Sequence, residues 1–218
     1  IRDSVFHGNQ ATFHGGAIEN FADLTVIGST FYNNTAAQDG GAIDNFQGGA
    51  RSSELSLALI NSTLSGNSAG NDGGAIFRSN AGEVNIVSST ITGNSSGRFG
   101  GGVNLGGNGG LTTLTNSIVA GNTVNGVAHD LSGVGGTTAG SNNIVGSASF
   151  AGNFVDGTNG NIVGIEADTV LDPNLQDNGG ETPTHALLKN SIAIDAGNTR
   201  IKYGVAHAAT DPHRLPDF

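Results

Sequence analysis

A chain of 218 residues is long enough for one sizeable solenoid or for one to two ordinary domains. Asp and Glu number 18 against 8 Lys and Arg, and the net charge of -10 removes the electrostatic drive for binding nucleic acid while favouring cations or a cationic surface as partners. No Cys is present, which excludes a disulfide framework and a thiolate metal site, and no apolar run approaches the roughly 18 residues of a membrane span. Gly is abundant, at 37 residues, while Pro is only 4, and Ile, Leu, Val and Phe recur throughout. That mixture belongs to many tight turns between short strands and not to a linker.

The chain opens inside a repeat, at Ile1 and without a Met, so it reads as a mature or excised part of something longer. Five segments align: IRDSVFHGN from Ile1, VIGSTFYNN from Val26, LINSTLSGN from Leu59, IVSSTITGN from Ile86 and LTNSIVAGN from Leu114. Each carries a Ser (Ser4, Ser29, Ser62, Ser89, Ser117) and, five residues later, an Asn (Asn9, Asn34, Asn67, Asn94, Asn122). Successive serines are 25, 33, 27 and 28 residues apart, while the Ser-to-Asn offset never changes. A constant core with variable insertions is the mark of a solenoid, whose insertions bulge outward as loops.

Six residues after the Asn comes GGAI, at Gly15 to Ile18, Gly40 to Ile43 and Gly73 to Ile76, weakening to GGGV at Gly100 to Val103. A third apolar stretch then leads into the next Ser: Leu24 to Ile27, Leu55 to Ile60, Val84 to Val87 and Leu111 to Leu114. Three short β-branched segments per repeat cannot bury their own apolar face. Stacked on the next repeat they form parallel strands about 4.8 Å apart around a shared core. The expected core columns are Phe6, Phe31, Leu64, Ile91 and Val119, and beside them Ile18, Ile43, Ile76 and Val103. The predicted fold is all-β: a single-domain, right-handed parallel β-helix of seven or eight coils, regular over residues 1–133 and irregular over 134–218.

The Asn column is expected to be a structural ladder. Asn tolerates a left-handed backbone at tight turns, and stacked amides can bond along a column. The Ser column is expected to be a second ladder and not a row of nucleophiles, because no base stands at a fixed offset from it. Two other columns could carry chemistry. His14, Asp39 and Asp72 each precede the Gly pair, and Glu19 and Asp44 follow GGAI, where Phe77 and Asn104 then end the column. The His-Asp-Asp stack is the best catalytic constellation available, and solvated turn residues beside glycines are the simpler reading of it. Arg78 and Arg98 lie 16 and 9 residues after their serines and so do not stack into one basic patch.

Beyond Gly133 the period fades, although Asn143 to Gly146 and Asn161 to Gly164 read as degenerate rungs. Asp156, Asn159 and Asn161, with Asp172 and Asp177 further on, offer the oxygen ligands that calcium prefers, but they fit no EF-hand loop, and such Asp/Asn/Gly runs are more often ordinary turns than metal sites. All four prolines (Pro173, Pro183, Pro212, Pro216) lie in this part and blunt its strand edges, whereas the first rung, with Phe6 in its core, invites self-stacking through the N-terminal coil.

The paired motifs GGAI and FxxN, the latter as Phe6-His7-Gly8-Asn9 and Phe31-Tyr32-Asn33-Asn34, resemble the repeats of the polymorphic outer membrane protein family over about residues 1–105. Leu64 and Ile91 depart from that pattern. The resemblance implies a surface-exposed β-helical passenger region involved in adhesion. Leu171-Asp172-Pro173, Gln176 to Gly180, Thr182 to Leu187 and Ser191 to Gly197 are similar to the choice-of-anchor region of bacterial surface proteins, with Asp211 to Arg214 in place of its DxR turn. That likeness implies a C-terminal cap that leads into an anchor. The expected function is a non-catalytic structural or adhesive segment of an extracellular or cell-surface bacterial protein, with a surface glycan or protein as ligand and no cofactor beyond possible calcium. A carbohydrate-active enzyme (a pectate lyase-like polysaccharide lyase, a hydrolase or an epimerase) and a self-assembling extracellular fibre subunit are the alternatives.

Overall fold

A computed structural model describes residues 1–45, 56–79, 82–106, 110–133 and 138–198. Four sheets wrap one core; the regular coils contribute a strand to each of them, and the last two strands, Ile144–Val145 and Ile162–Val163, extend the first sheet alone. The first sheet follows the Ser column and stacks seven strands: Val5–His7, Thr30–Tyr32, Thr63–Ser65, Thr90–Thr92, Ile118–Ala120, Ile144–Val145 and Ile162–Val163. The second follows the Asn column with strands of only two residues, from Gln10–Ala11 to Thr123–Val124. The third follows the Gly pair, from Ile18–Asn20 to Leu131–Ser132, and the fourth leads back to the next Ser, from Leu24–Ile27 to Thr138–Ser141. The chain is a parallel β-helix. One antiparallel pair, Thr123–Val124 with Val127–Ala128, closes the second sheet through a hairpin.

The fold has four strands per coil where the sequence led us to expect three. The additional strand is too short and too poor in large apolar residues to show a period. Its inward residues are small, with Ala36, Ala69 and Ser96 buried.

The core columns fall where the repeat put them. Phe31, Leu64, Ile91, Val119 and Val145 from the first sheet meet Ile43, Ile76, Val103 and Leu131 from the third and Val26, Leu59, Ile86 and Leu114 from the fourth. Phe6 and Ile18, in the first coil, are only partly buried against this cluster. Phe6 stacks flat on Phe31 with ring centroids 4.7 Å apart, one rung spacing. Ala151 and Phe154 join the core from outside any strand, beyond the last strand of the third sheet.

Left-handed backbone marks the corners. It falls one residue before each ladder position: at Asp3, Gly28, Asn61, Ser88, Asn116 and Asn142, and at Gly8, Asn33, Gly66, Gly93 and Gly121. The ladder asparagines themselves were expected to take it and do not. The corner is turned by the preceding residue, which leaves the ladder side chain to point inward. The Gly pair is needed for two separate reasons. Gly40 has φ +67, and a Cβ on Gly41 would stand 2.0 Å from the Gly74 carbonyl oxygen of the next coil.

The C-terminal segment lies against the side of the solenoid. A hairpin-like stretch pairs Leu171 with Leu187 and Gln176 with Thr184. It crosses the first sheet, where the Thr30 hydroxyl donates to the Pro183 carbonyl (2.7 Å) and the Thr182 hydroxyl to the Gly28 carbonyl (3.1 Å). His185 Nε2 stands 2.8 Å from the Ser65 hydroxyl. Further on, Asn198 and Asn116 exchange two hydrogen bonds. In the described residues this segment is therefore a strap along the coils. The residues likened to a DxR turn, Asp211 to Arg214, lie outside the described residues.

Candidate functional site

Two polar columns run inside the wall. In the first, each Asn donates both its backbone N–H and its Nδ2 to the Oδ1 of the Asn one coil on, from Asn9 through Asn34, Asn67 and Asn94 to Asn122, at 2.8–3.1 Å. Each Nδ2 from Asn34 to Asn122 also donates to a first-sheet carbonyl, as Asn67 does to Phe31 at 3.0 Å. From Asn34 on these side chains are buried. The column ends on Asp130, whose Oδ1 accepts both Asn122 donors while its Oδ2 accepts the Ser147 N–H. Burial raises the Asp130 pKa, and these donors hold it down in part. Asp130 thus takes the next asparagine's place only eight residues after Asn122.

In the second column each Ser N–H donates to the next Ser Oγ, from Ser4 through Ser29, Ser62 and Ser89 to Ser117, at 3.1–3.2 Å. Each hydroxyl donates to the carbonyl two residues back, as Ser62 does to Ile60 at 2.8 Å. Asn143 and Asn161 extend this column: Ser117 N–H donates to Asn143 Oδ1 (3.0 Å) and Asn143 to Asn161 Oδ1. The change from Ser to Asn hides the continuation from a search for the Ser motif. Both columns face inward and spend their polar atoms on the backbone of neighbouring coils, so their chemistry is structural.

The outward cluster is built at the Gly-pair corner. The left-handed first glycine folds the chain back sharply: a Cβ on Gly40 would meet Ile43 O and Asp44 N at 2.6 and 2.7 Å. The residue before the pair is thereby brought beside the residue after GGAI, and two sequence columns converge. His14 Nδ1 stands 3.3 Å from Asp39 Oδ2 and 3.6 Å from Asp44 Oδ2. Asp39 Oδ1 accepts the Asp72 N–H at 3.1 Å. Asp72 in turn receives a two-point hydrogen bond from Arg98 Nε and Nη2. The sequence placed His14, Asp39 and Asp72 together but not Asp44 with them, and it assigned Arg98 no role in an acidic column. Arg98 reaches Asp72 from the next coil, and the hydrogen bond raises its pKa further. Arg78 and Arg98 do part company as their offsets implied, since Arg78 is buried inside the coil.

Asp44 is the electrostatic centre. It is wholly buried, and neither oxygen has a hydrogen-bond donor among the described residues. Burial first, then the charges of Asp39 and Glu19, push its pKa up to about 8. Asp39 is raised too, by burial, against the Asp72 N–H that lowers it. Asp44 therefore holds its proton in the folded state at neutral pH, whereas an unfolded Asp loses it near pH 4. The folded state binds the extra proton between those values, so stability falls as pH rises from about 4 to about 8. Asp44→Asn is expected to remove much of that slope. Wild type and variant should match near pH 4, and at pH 8 the variant should be the more stable, by up to about 5 kcal/mol. Thermal melts across that range check this, and an equal effect at both ends would contradict it.

The cluster can share and hold protons. Arg98 is committed to Asp72. The calcium candidates take part in turns and in the inner column. Asp156 Oδ1 accepts the Val163 N–H, Asn159 occupies a left-handed turn, Asn161 sits in the inner column, Asp172 Oδ1 caps Asn174 and Asp177 Oδ1 accepts the Gly179 N–H. Among the described residues no group of three or more His, Cys, Asp or Glu is placed to hold a metal ion. No helix of the described residues is long and apolar enough to cross a membrane.

Fold and columns together define a parallel β-solenoid stapled by internal Ser and Asn ladders. Comparison with known families matches residues 28–45 and 61–77 to the Chlamydia polymorphic membrane protein repeat. Each stretch covers strands of the first, second and third sheets in one coil, with the Ser or Asn corner and the GGAI turn between them. No curated protein and no solved structure matches the chain.

Proposed function

We propose that the chain is a non-catalytic, structural and adhesive segment of a cell-surface or secreted bacterial protein. The observation that carries this reading is the match of two consecutive coils to a polymorphic membrane protein repeat, with the polar columns turned inward to build a rod. A rod of this kind holds a binding surface away from the cell, and the ligand is a surface glycan or protein. The acidic exterior favours a partner with cationic or neutral groups.

Beads coated with the purified chain should adhere to host cells more than beads coated with an unrelated acidic protein. Equal adherence would defeat the adhesive reading. One observation favours a second reading, a carbohydrate-active enzyme: the buried, proton-holding Asp44 beside His14 and Asp39 is the kind of perturbed group that active sites use. Against it, we expect no unsaturated or reducing ends to be released from pectate, alginate or neutral glycans. Release that is abolished by Asp44→Asn or Asp39→Asn in a folded variant would instead establish the enzyme.

A further inference from the structure

A cleft of about 540 Å³ opens beside the Asp72–Arg98 pair, at the end of the regular coils. Its floor is Leu131 and His129, both buried. The His129 ring stacks on Phe150 at 3.6 Å between centroids, and burial lowers its pKa, so the imidazole is neutral. Phe150 and Phe99 form the walls, 39% and 48% exposed, although most of the other large apolar side chains of these coils are in the core.

Polar groups stand around this apolar cup. Ser132 and Ser149 line it. The Arg98 guanidinium lies 5.6 Å from the centre of the Phe99 ring and is fixed by Asp72 through Nε and Nη2. Among the described residues its Nη1 has no hydrogen-bond partner and keeps its donors for a ligand. Two rings for stacking, two hydroxyls and one planar donor held in place are the elements that recognise a sugar ring: aromatic faces cover its C–H surface while fixed donors select its hydroxyls. Charge narrows the class. Arg98 is already neutralised by Asp72, and the chain carries -10 overall, so an anionic sugar has nothing to compensate it and a long-range field to overcome. We infer that the cleft between Phe99 and Phe150 binds one uncharged pyranose unit of a surface glycan. This rests on the adhesive reading and names its ligand class.

The test is amide NMR of the chain titrated to millimolar range with the methyl glycosides of galactose, glucose, mannose, fucose, N-acetylglucosamine and N-acetylgalactosamine, with glucuronate in parallel. The expected result is saturable shifts at Ser132, Gly133, Ser149 and Gly152 with at least one uncharged sugar. Phe99→Ala should weaken binding roughly tenfold, whereas Phe99→Tyr, which keeps the ring, should retain it. The Phe99 side chain is exposed enough for both variants to fold, which their amide spectra will show. No shifts with any uncharged sugar, shifts that survive Phe99→Ala, or tighter binding of glucuronate would each overturn the inference. Bead adherence that persists in Phe99→Ala would leave the adhesive reading standing while this cleft is discarded, and the two failures are thus separable.

Discussion

Asn67→Ala is expected to destabilise the solenoid by about 2–4 kcal/mol, more than the same change at Asn9. Asn67 sits in mid-column. Its Oδ1 accepts the Asn34 N–H and Nδ2, and its own Nδ2 donates to Asn94 Oδ1 and to the Phe31 carbonyl. Truncation leaves the Asn34 N–H without its acceptor and takes a side-chain donor from the Phe31 carbonyl, in a site that water does not reach, because Asn34, Asn67 and Phe31 are all fully buried. The full desolvation cost of those groups then appears in the folded state. At Asn9 the same substitution removes only the Nδ2 donor, from an exposed position, and keeps the backbone N–H bond, so water replaces most of what is lost. Asn67→Asp should not rescue, because its second oxygen would face the Phe31 carbonyl and Asn94 Oδ1. Denaturant unfolding of the variants gives the comparison, and an equal loss at positions 9 and 67 would contradict the argument.

A second large effect is expected at Arg78. Its side chain is fully buried on the third sheet, in the column of Asn20 and Asn45. The guanidinium donates from Nε and Nη2 to the Leu105 carbonyl, and from Nη1 to the Gly82 carbonyl (3.0 Å) and the Thr112 hydroxyl (3.2 Å). It forms no ion pair with a carboxylate among the described residues. The side chain thus clamps the turn between the third and fourth sheets of two coils. Arg78→Ala empties a large volume and strands three acceptors, and should cost about 3–5 kcal/mol. Arg78→Met restores volume and avoids burying a charge, so it should cost less. Arg78→Lys should be as damaging as Ala, since a single ammonium cannot span the three acceptors that the planar fork reaches. Stability of the three variants in the order Met, then Lys and Ala, checks this. A Lys variant near wild type would show that charge alone is what the site needs.

Much of the fold was legible because the repeat constrains the same residue types in every coil. The constant Ser-to-Asn offset put both ladders in register, and the alternation around Phe31, Leu64 and Ile91 put one wall of the core in place. What escaped reading has physical causes. The two-residue strands such as Ser68–Ala69 are shorter than any detectable period. Asn143, Asn161 and Asp130 extend the ladders with a different side chain at altered spacings, because a column needs only an inward oxygen at the right height. The candidate cluster was half legible. His14, Asp39 and Asp72 share a column, but Asp44 joins them only because a left-handed glycine folds the corner back, and Arg98 only because its long side chain reaches across a coil. The exposed rings of Phe99 and Phe150 gave no signal, since neither falls at a repeated position with aromatic neighbours.

Native-state amide hydrogen exchange of wild type and Asn67→Ala tests the central claim most directly, namely that the asparagine column is an internal strut and not a binding surface. The backbone N–H groups of Asn34, Asn67 and Asn94 donate to side-chain oxygens of the following coil. In wild type they should exchange as slowly as the first-sheet strand amides beside them. In Asn67→Ala the loss of protection should be directional. The Asn34 amide, which donated to the missing oxygen, should speed up beyond the fall in global stability, whereas the Asn94 amide, which donates to Asn122, should follow global stability alone. Fast exchange of these amides in the wild type, or equal acceleration at Asn34 and Asn94, would contradict the account.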